Sequence, residues 1–362
     1  MIWYLLNILM VTIAYLWPSK EVEGAANFEV SKTVKKRVCV VGSFCWIILS
    51  GLRHVSIGAD TEVYKNAFDK SQLNEWDKLF ENLYNKYILG EEIKDPGYRI
   101  IEKFVHIFSD DYQIFLIIIA VLFFTAMGIF LYNLSSNPYL SYILFSTLFY
   151  SFFAITGHRQ TIATAIVVLL GTFLIKNKKF IPFLIITILA STIHMSCLCF
   201  LPFYFISKIK INNITLLIYW GAIAGSFVLR YQLLNFLQSI IGYEQYQDLD
   251  GARASTFLYL LLAIGLIVTF FHQKLLEGDN SEKIQISINA LMLACFFCPL
   301  LLINQSMMRL VQYFSLFLMI ILPEIAKIFP KKNDKIVYVM LITGALIGLF
   351  ALNDLTYKFF WQ

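Results

Sequence analysis

Apolar residues gather in eleven runs along the chain, at about 1–17, 38–52, 112–132, 139–155, 161–175, 180–206, 214–229, 256–271, 284–303, 310–328 and 336–353. Short polar stretches separate most of them. A helix crossing the ~30 Å hydrocarbon layer needs about 20 apolar residues, so the shorter runs must take up polar residues at their ends. The pattern predicts an all-α polytopic membrane protein with about 11–12 transmembrane helices, forming one integral membrane domain over residues 1–362. The first run has no basic stretch before it and no small-residue cleavage site after it, so it reads as a retained span.

Two features break the regular pattern. The run 180–206 contains Pro182, His194 and Pro202, which suit a broken or re-entrant helix pair; a single long helix is the other reading. The segment 53–111 is a long polar insertion between the second and third spans.

Basic residues set the orientation. Lys20, Lys32, Lys35, Lys36 and Arg37; Lys176, Lys178 and Lys179; Lys208 and Lys210; Lys274 and Lys283; and Lys327, Lys331, Lys332 and Lys335 are read as cytoplasmic. These assignments agree only if 180–206 enters and leaves on one side. The opposite, extracytoplasmic face then collects the 53–111 loop, the Gly157-His158-Arg159-Gln160 turn and the Asn304-to-Arg309 turn. It also collects the 230–255 loop with Arg230, Asp248, Asp250 and Arg253, and a hairpin tip with His194 and Ser196. The 53–111 loop carries twelve acids against eight Lys/Arg, with Trp76, Tyr84 and Tyr87 among them, and reads as amphipathic and partly helical.

Composition agrees with this class. The chain is 59% hydrophobic and 15% charged, with a mean hydropathy of +0.69, where a soluble domain carries roughly 25% charged residues. A cytosolic enzyme, a secreted disulfide domain and a β-barrel are excluded. The net charge of +5 lies in short clusters, which reports topology rather than a nucleic-acid surface. All six cysteines fall in apolar runs. Cys295-x-x-Cys298 lacks a second pair, so the cysteines read as packing residues and neither metal nor cofactor is expected. Neither a G-x-x-x-x-G-K-[ST] nor a G-x-G-x-x-G loop occurs.

Ionisable residues near membrane depth are costly, and each is a candidate site. Arg53, directly after the second span, suits bidentate contact with phosphate oxygens, or equally a side chain snorkelling to headgroups. Asp60, with Thr61 and Tyr64 following, suits proton transfer or a helix N-cap. Arg159 and Gln160 occupy a short turn, where an interfacial anchor is the bland reading. His194 lies beside Ser191, Thr192 and Ser196, where a hydrogen-bonded core histidine is the alternative. Arg309 opens a span, as an end anchor would. Arginines converging on one leaflet suit an anionic ligand such as a lipid-linked pyrophosphate.

At these positions the chain resembles the EpsG family of Wzy-like polysaccharide polymerases. The resemblance rests on Gly51-Leu52-Arg53 with Gly58, Asp60-Thr61 and Tyr64 to Phe68, then on Gly157-His158-Arg159-Gln160 with Ala163. It continues through Ala190, His194, Ser196 and Leu201-Pro202 to Arg309 with Tyr313-Phe314. It implies a GT-C-like polymerase architecture in the bacterial cytoplasmic membrane, with its active site on the extracytoplasmic side. It further implies polymerisation of undecaprenyl-pyrophosphate-linked oligosaccharide repeat units, with a flippase and a chain-length regulator as partners. Arg53, Arg159, Gln160 and Arg309 would bind the substrate, Tyr64 would orient it, and Asp60 or His194 would serve as general base. His158 receives no role from the resemblance. A lipid-linked oligosaccharide flippase or transporter and an O-antigen ligase are the competing readings. A transporter should place paired charges at mid-membrane and show two related halves, whereas these charges cluster at one face.

Overall fold

All eleven apolar runs are helical in the computed structural model, which describes residues 1–18, 30–241, 255–278, 280–353 and 355–362. Lys20, Asp248, Asp250 and Arg253 lie outside the described residues. The helices are α1 (Ile2–Leu16), α2 (Lys32–Gly51), α3 (Thr61–Ser71), α4 (Trp76–Tyr84), α5 (Pro96–Val105), α6 (Tyr112–Leu134), α7 (Pro138–Leu144), α8 (His158–Thr164) and α9 (Gly171–Lys176). They are followed by α10 (Phe180–Ile193), α11 (Phe203–Ile206), α12 (Asn213–Val228), α13 (Arg230–Ile241), α14 (Ser255–Leu275) and α15 (Ser281–Phe297). The last three are α16 (Met308–Ser315), α17 (Leu318–Ile325) and α18 (Lys332–Ala351). Among the described residues the only extended pairing outside the helices is an isolated antiparallel bridge between Arg53 and Phe359. The chain is thus an all-α, multi-pass membrane protein.

Five helices are long and apolar enough to cross a bilayer unaided: Tyr112–Leu134, His158–Lys176, Thr256–Leu275, Ser281–Leu302 and Lys332–Ala351. Two more spans form if the bent pairs are counted, Asn213–Val228 with Arg230–Ser239 (87°) and Gln305–Ser315 with Leu318–Ile328 (58°). The apolar pattern alone predicts 11–12. The difference lies in how the shorter runs are used: α1 and α10 have 15 and 14 residues, and α2 has 20 but opens on Lys32, Lys35, Lys36 and Arg37. Breaks inside the bundle, not solvent, terminate several runs.

Packing between α2 and α6 is built on small residues, as expected where lipid supplies no hydrophobic drive and backbones must approach closely. The two helices run antiparallel. Ser43 donates to the Phe124 carbonyl at 2.7 Å, a side chain on Gly51 would meet Ile117, and one on Gly128 would meet Ser43. Trp46 fills the space between them and stacks on Phe124 at 5.8 Å while donating to Ser146 at 3.1 Å.

The run 180–206 is a hairpin. Phe180 packs on Tyr204 at 4.9 Å and Phe183 on Phe200 at 6.3 Å, and the Cys197 thiol lies 3.8 Å from the Thr187 carbonyl. Pairs whose numbers sum to a constant identify two antiparallel arms. The turn falls at His194, whose extended backbone (φ −155°, ψ 107°) ends α10. Fourteen helical residues rise only ~21 Å, short of the hydrocarbon thickness.

The ends of the chain meet the same face as Arg53. Met1 donates its amino group to the Leu355 carbonyl, His54 N–H donates to the Lys358 carbonyl at 2.9 Å, and Phe360 N–H donates to the Leu52 carbonyl at 3.0 Å. The opposite face carries a buried Glu324 paired with Lys327 at 2.6 Å and Lys283 at 3.8 Å. On the Arg53 face, α3 and α5 are seated on the start of α6 by a cluster of Phe68, Tyr98, Val105, Tyr112 and Phe115. Leu73, Phe80, Tyr84, Phe104 and Phe108 remain exposed, an apolar surface suited to the headgroup boundary.

Candidate functional site

The site lies where the polar insertion, the turn at 157 and the hairpin tip converge. Helix α5 opens on Asp95-Pro96, and proline at the first helical position fixes its start. Asp95 itself sits at φ +47°, ψ 55°, a left-handed conformation disfavoured for a non-glycine residue. Such strain persists only where the surroundings hold it, and it is typical of sites under functional constraint. The hold is visible. Gly97 lies against Thr192 so closely that an added Cβ would come within 2.7 Å of the Thr192 Cβ. The Tyr87 hydroxyl reaches the Ser191 carbonyl at 3.4 Å.

Arg159 Nη1 donates to Asp95 Oδ2 at 2.6 Å, and His194 Nδ1 lies 3.6 Å from the same oxygen. Burial by itself raises the Asp95 carboxyl. The His194 ring, Arg159 and Lys86 outweigh it and hold the group below its ordinary 3.8. Asp95 is therefore an anion at neutral pH, shared between a guanidinium and an imidazole. Arg159 also donates from Nε to the Tyr64 hydroxyl at 3.4 Å and lies 5.6 Å over the Tyr64 ring. Its side chain is 21% exposed, so the guanidinium meets solvent on one edge.

Below this layer sits a second one. Tyr64 stacks on the His158 imidazole at 4.3 Å, and His158 Nε2 lies 2.7 Å from Arg53 Nη2. Arg53 is 2% exposed, with its fork turned inward onto the Ser50 and Ile155 carbonyls, the latter at 2.9 Å. Tyr112 closes the layer, its hydroxyl 3.4 Å from His158 Nδ1. The turn that delivers Tyr64 needs Gly58 at φ +105°, where an added Cβ would meet the Ile155 carbonyl at 2.9 Å.

Of the residues singled out in the sequence, Tyr64, Arg159 and His194 surround Asp95. Gln160 is beside them and points elsewhere: its amide donates to the Arg309 carbonyl at 2.7 Å, tying the 157 turn to the 304–309 turn. Arg309 is half-buried and lines a small cavity with Ser196, Gln238 and Ser306. Ser196, two residues after His194, pairs with the Tyr313 hydroxyl at 3.0 Å. Asp60 precedes α3, half-buried, one turn before Tyr64, with its carboxylate bonded to no side chain among the described residues. Asp95 is not among the residues the sequence marks, its only local signal being an acid before Pro-Gly, and His158, marked within its turn, carries no role from the resemblance. Cys295 and Cys298 serve backbone carbonyls, those of Leu261 and Cys295 respectively.

A multi-pass helical membrane protein with a charged cluster gathered at one face is the class these observations define. The model of the EpsG family matches residues 36–361, nearly the whole chain, and the chain belongs to that family. The family is associated with Wzy-like polysaccharide polymerases, so the membership points to a polysaccharide polymerase, a glycosyltransferase-like enzyme acting on lipid-linked oligosaccharide. No curated protein and no solved structure matches the chain.

Proposed function

We propose that the chain polymerises undecaprenyl-pyrophosphate-linked oligosaccharide repeat units at the outer face of the bacterial cytoplasmic membrane. The observation that carries this reading is the Arg159–Asp95–His194 arrangement, built at the face opposite the Lys283–Glu324–Lys327 cluster. A basic cluster at the other end of the bundle supports an outer location for the site.

In the reaction, an acceptor hydroxyl attacks the anomeric carbon of the growing chain. The C–O bond to the lipid pyrophosphate breaks, and its electron pair passes to the leaving pyrophosphate oxygen. Negative charge develops there, and a preorganised guanidinium is the expected stabiliser. Arg159 fits this role, since Asp95 and Tyr64 fix it while one edge stays open. The acceptor proton goes to a general base. His194 is favoured over Asp60, because the Asp95 anion stabilises the imidazolium that forms and fixes the ring orientation. Arg309 would border the pyrophosphate from the 304–309 side, with Gln160 holding the Arg309 backbone in place. Arg53, buried beneath His158, acts as a positioning residue for the Tyr64 layer. A flippase delivering the lipid-linked unit and a chain-length regulator would be the partners.

The test is the size and location of lipid-linked glycan in cells deleted for this gene and complemented with wild type or Arg159→Ala at equal membrane abundance. Single repeat units accumulating on outer-face lipid support the polymerase. Units trapped on the cytoplasmic face identify a flippase. Long polymer remaining on lipid identifies a ligase.

A further inference from the structure

Beside the site, the polar insertion forms a groove of about 590 Å³ between α3, α4 and the start of α5. Asn66, Lys70, Asn74, Lys78 and Asn82 line it, an alternation of amide and ammonium at every fourth position from 66 to 82. Residues four apart on a helix share a face, so α3 and α4 each present one Asn–Lys pair to the groove, and Asn74 fills the turn between them. Lys94 adds a third ammonium.

The insertion as a whole is acidic, with twelve acids against eight Lys/Arg, yet none of the acids lines the groove. Asp69 pairs with Lys65 at 2.6 Å outside the groove, while Glu102 takes the guanidinium of Arg99, a fourth lining cation, at 2.8 Å. Lys70, Lys78 and Lys94 are exposed, and their ammonium groups make no ion pair among the described residues. Of the exposed apolar side chains of α3, α4 and the turn between them, Val63 lines the groove and Leu73, Phe80 and Tyr84 do not.

We propose that this groove binds an anionic oligosaccharide, a glycan bearing carboxylate or phosphate groups; that the ligand is a glycan rests on the polymerase reading above. Ammonium groups meet the acidic substituents, and the amides between them exchange hydrogen bonds with sugar hydroxyls, since each carboxamide both donates and accepts. The groove is a concavity in which the amides and ammoniums are set among Val63, Ala67, Leu79, Ile93 and Pro96, a mixed lining that suits sugar rings with both apolar and hydroxyl faces. Lys94 and Pro96, the two chain neighbours of Asp95, both line the groove while Asp95 faces Arg159. A glycan lying in the groove therefore ends beside the Asp95 cluster, and the groove serves as the track that leads the acidic chain to the reacting centre.

The experiment uses the full chain in nanodiscs of zwitterionic lipid, with labelled oligogalacturonate as ligand and a maltooligosaccharide of equal length as the neutral control. Wild type should bind oligogalacturonate in preference to the control, and more weakly as salt rises. The Lys70→Gln/Lys78→Gln/Lys94→Gln variant should lose about tenfold in affinity while melting like wild type, because the three side chains are exposed. Arg159→Ala should make no polymer yet bind the oligogalacturonate as wild type does. Equal binding of acidic and neutral glycans overturns the proposal, as does a triple variant that binds like wild type. A triple variant whose only loss is adhesion to phosphatidylglycerol vesicles also overturns it and identifies a headgroup site. Groove binding in a chain that never polymerises lipid-linked units removes the polymerase reading and leaves the groove.

Discussion

Asp95 and Arg159 stand 64 positions apart in the chain and 2.6 Å apart in the structure, joined across the gap between a polar insertion and a turn in the bundle. Everything else at the site is arranged about that pair. His194 arrives from the tip of a hairpin, Tyr64 from α3, and His158 with Arg53 supports them from beneath.

Replacement of Asp95 by Asn keeps the shape and tolerates the left-handed backbone, but removes the anion. Polymerisation should fall at least about 100-fold, the lower range for loss of acid–base function, with membrane abundance unchanged. The measurement is glycan ladder formation in membranes normalised to protein. Activity within a few-fold of wild type would remove Asp95 from the reaction.

Arg159→Lys is not conservative here. The ammonium cannot hold Asp95 and Tyr64 together while presenting a further donor edge. Losing one charge-assisted hydrogen bond costs about 1.5 kcal/mol, or about tenfold in rate, and Arg159→Ala should cost more. Initial rates of chain extension for the two variants distinguish the steps.

The close approach of Gly97 to Thr192 locks α5 onto the hairpin tip. Gly97→Ala should destabilise the protein by about 1–3 kcal/mol through overpacking and reduce activity by unseating Asp95 from His194. A second change, Thr192→Gly, removes the obstructing Cβ and hydroxyl and should restore part of both, since the Thr192 carbonyl carbon still crowds the added Cβ at 2.9 Å. Melting and activity of the two single variants and the double variant form the cycle that measures this coupling.

Acid should separate two carboxylates of the insertion. Asp95 is held below 3.8, so its contribution to stability is complete above that value and is lost as pH falls through its depressed folded value. Glu102 has the opposite sign. Burial, opposed by Arg99, raises it above 4.5, so it costs stability at neutral pH and that cost fades as pH falls through the raised value. The melting difference between wild type and Asp95→Asn should therefore hold from neutral pH to about 3.8 and narrow below it, whereas that for Glu102→Gln should change at higher pH.

Much of this architecture could be read from local pattern. The apolar runs mark the helices, and Pro182, His194 and Pro202 mark the hairpin, because helix breakers act within a turn of where they stand. Arg159, His194 and Tyr64 were visible because a charge or polar ring in an apolar context is costly wherever it falls. Asp95 was not, because it stands among eleven other acids in a water-facing segment, where a carboxylate costs nothing. Only the docking of α5 against the hairpin tip makes it special, and that is a tertiary fact. The same holds for Arg53. Its position at a helix end suggests a ligand contact, yet its guanidinium is taken up by the Ser50 and Ile155 carbonyls and His158. The eleven apolar runs and the five to seven long apolar helices among the described residues differ for a related reason, since an apolar run shows that a segment avoids water but not whether it crosses the membrane alone.

The most direct measurement is made on the purified chain in liposomes supplied with a single lipid-linked repeat unit and no other protein. Wild type should convert it to a ladder of longer lipid-linked glycans and release free lipid pyrophosphate, and the Asp95→Asn chain should do neither. Movement of the unit across the bilayer without any ladder would contradict the account.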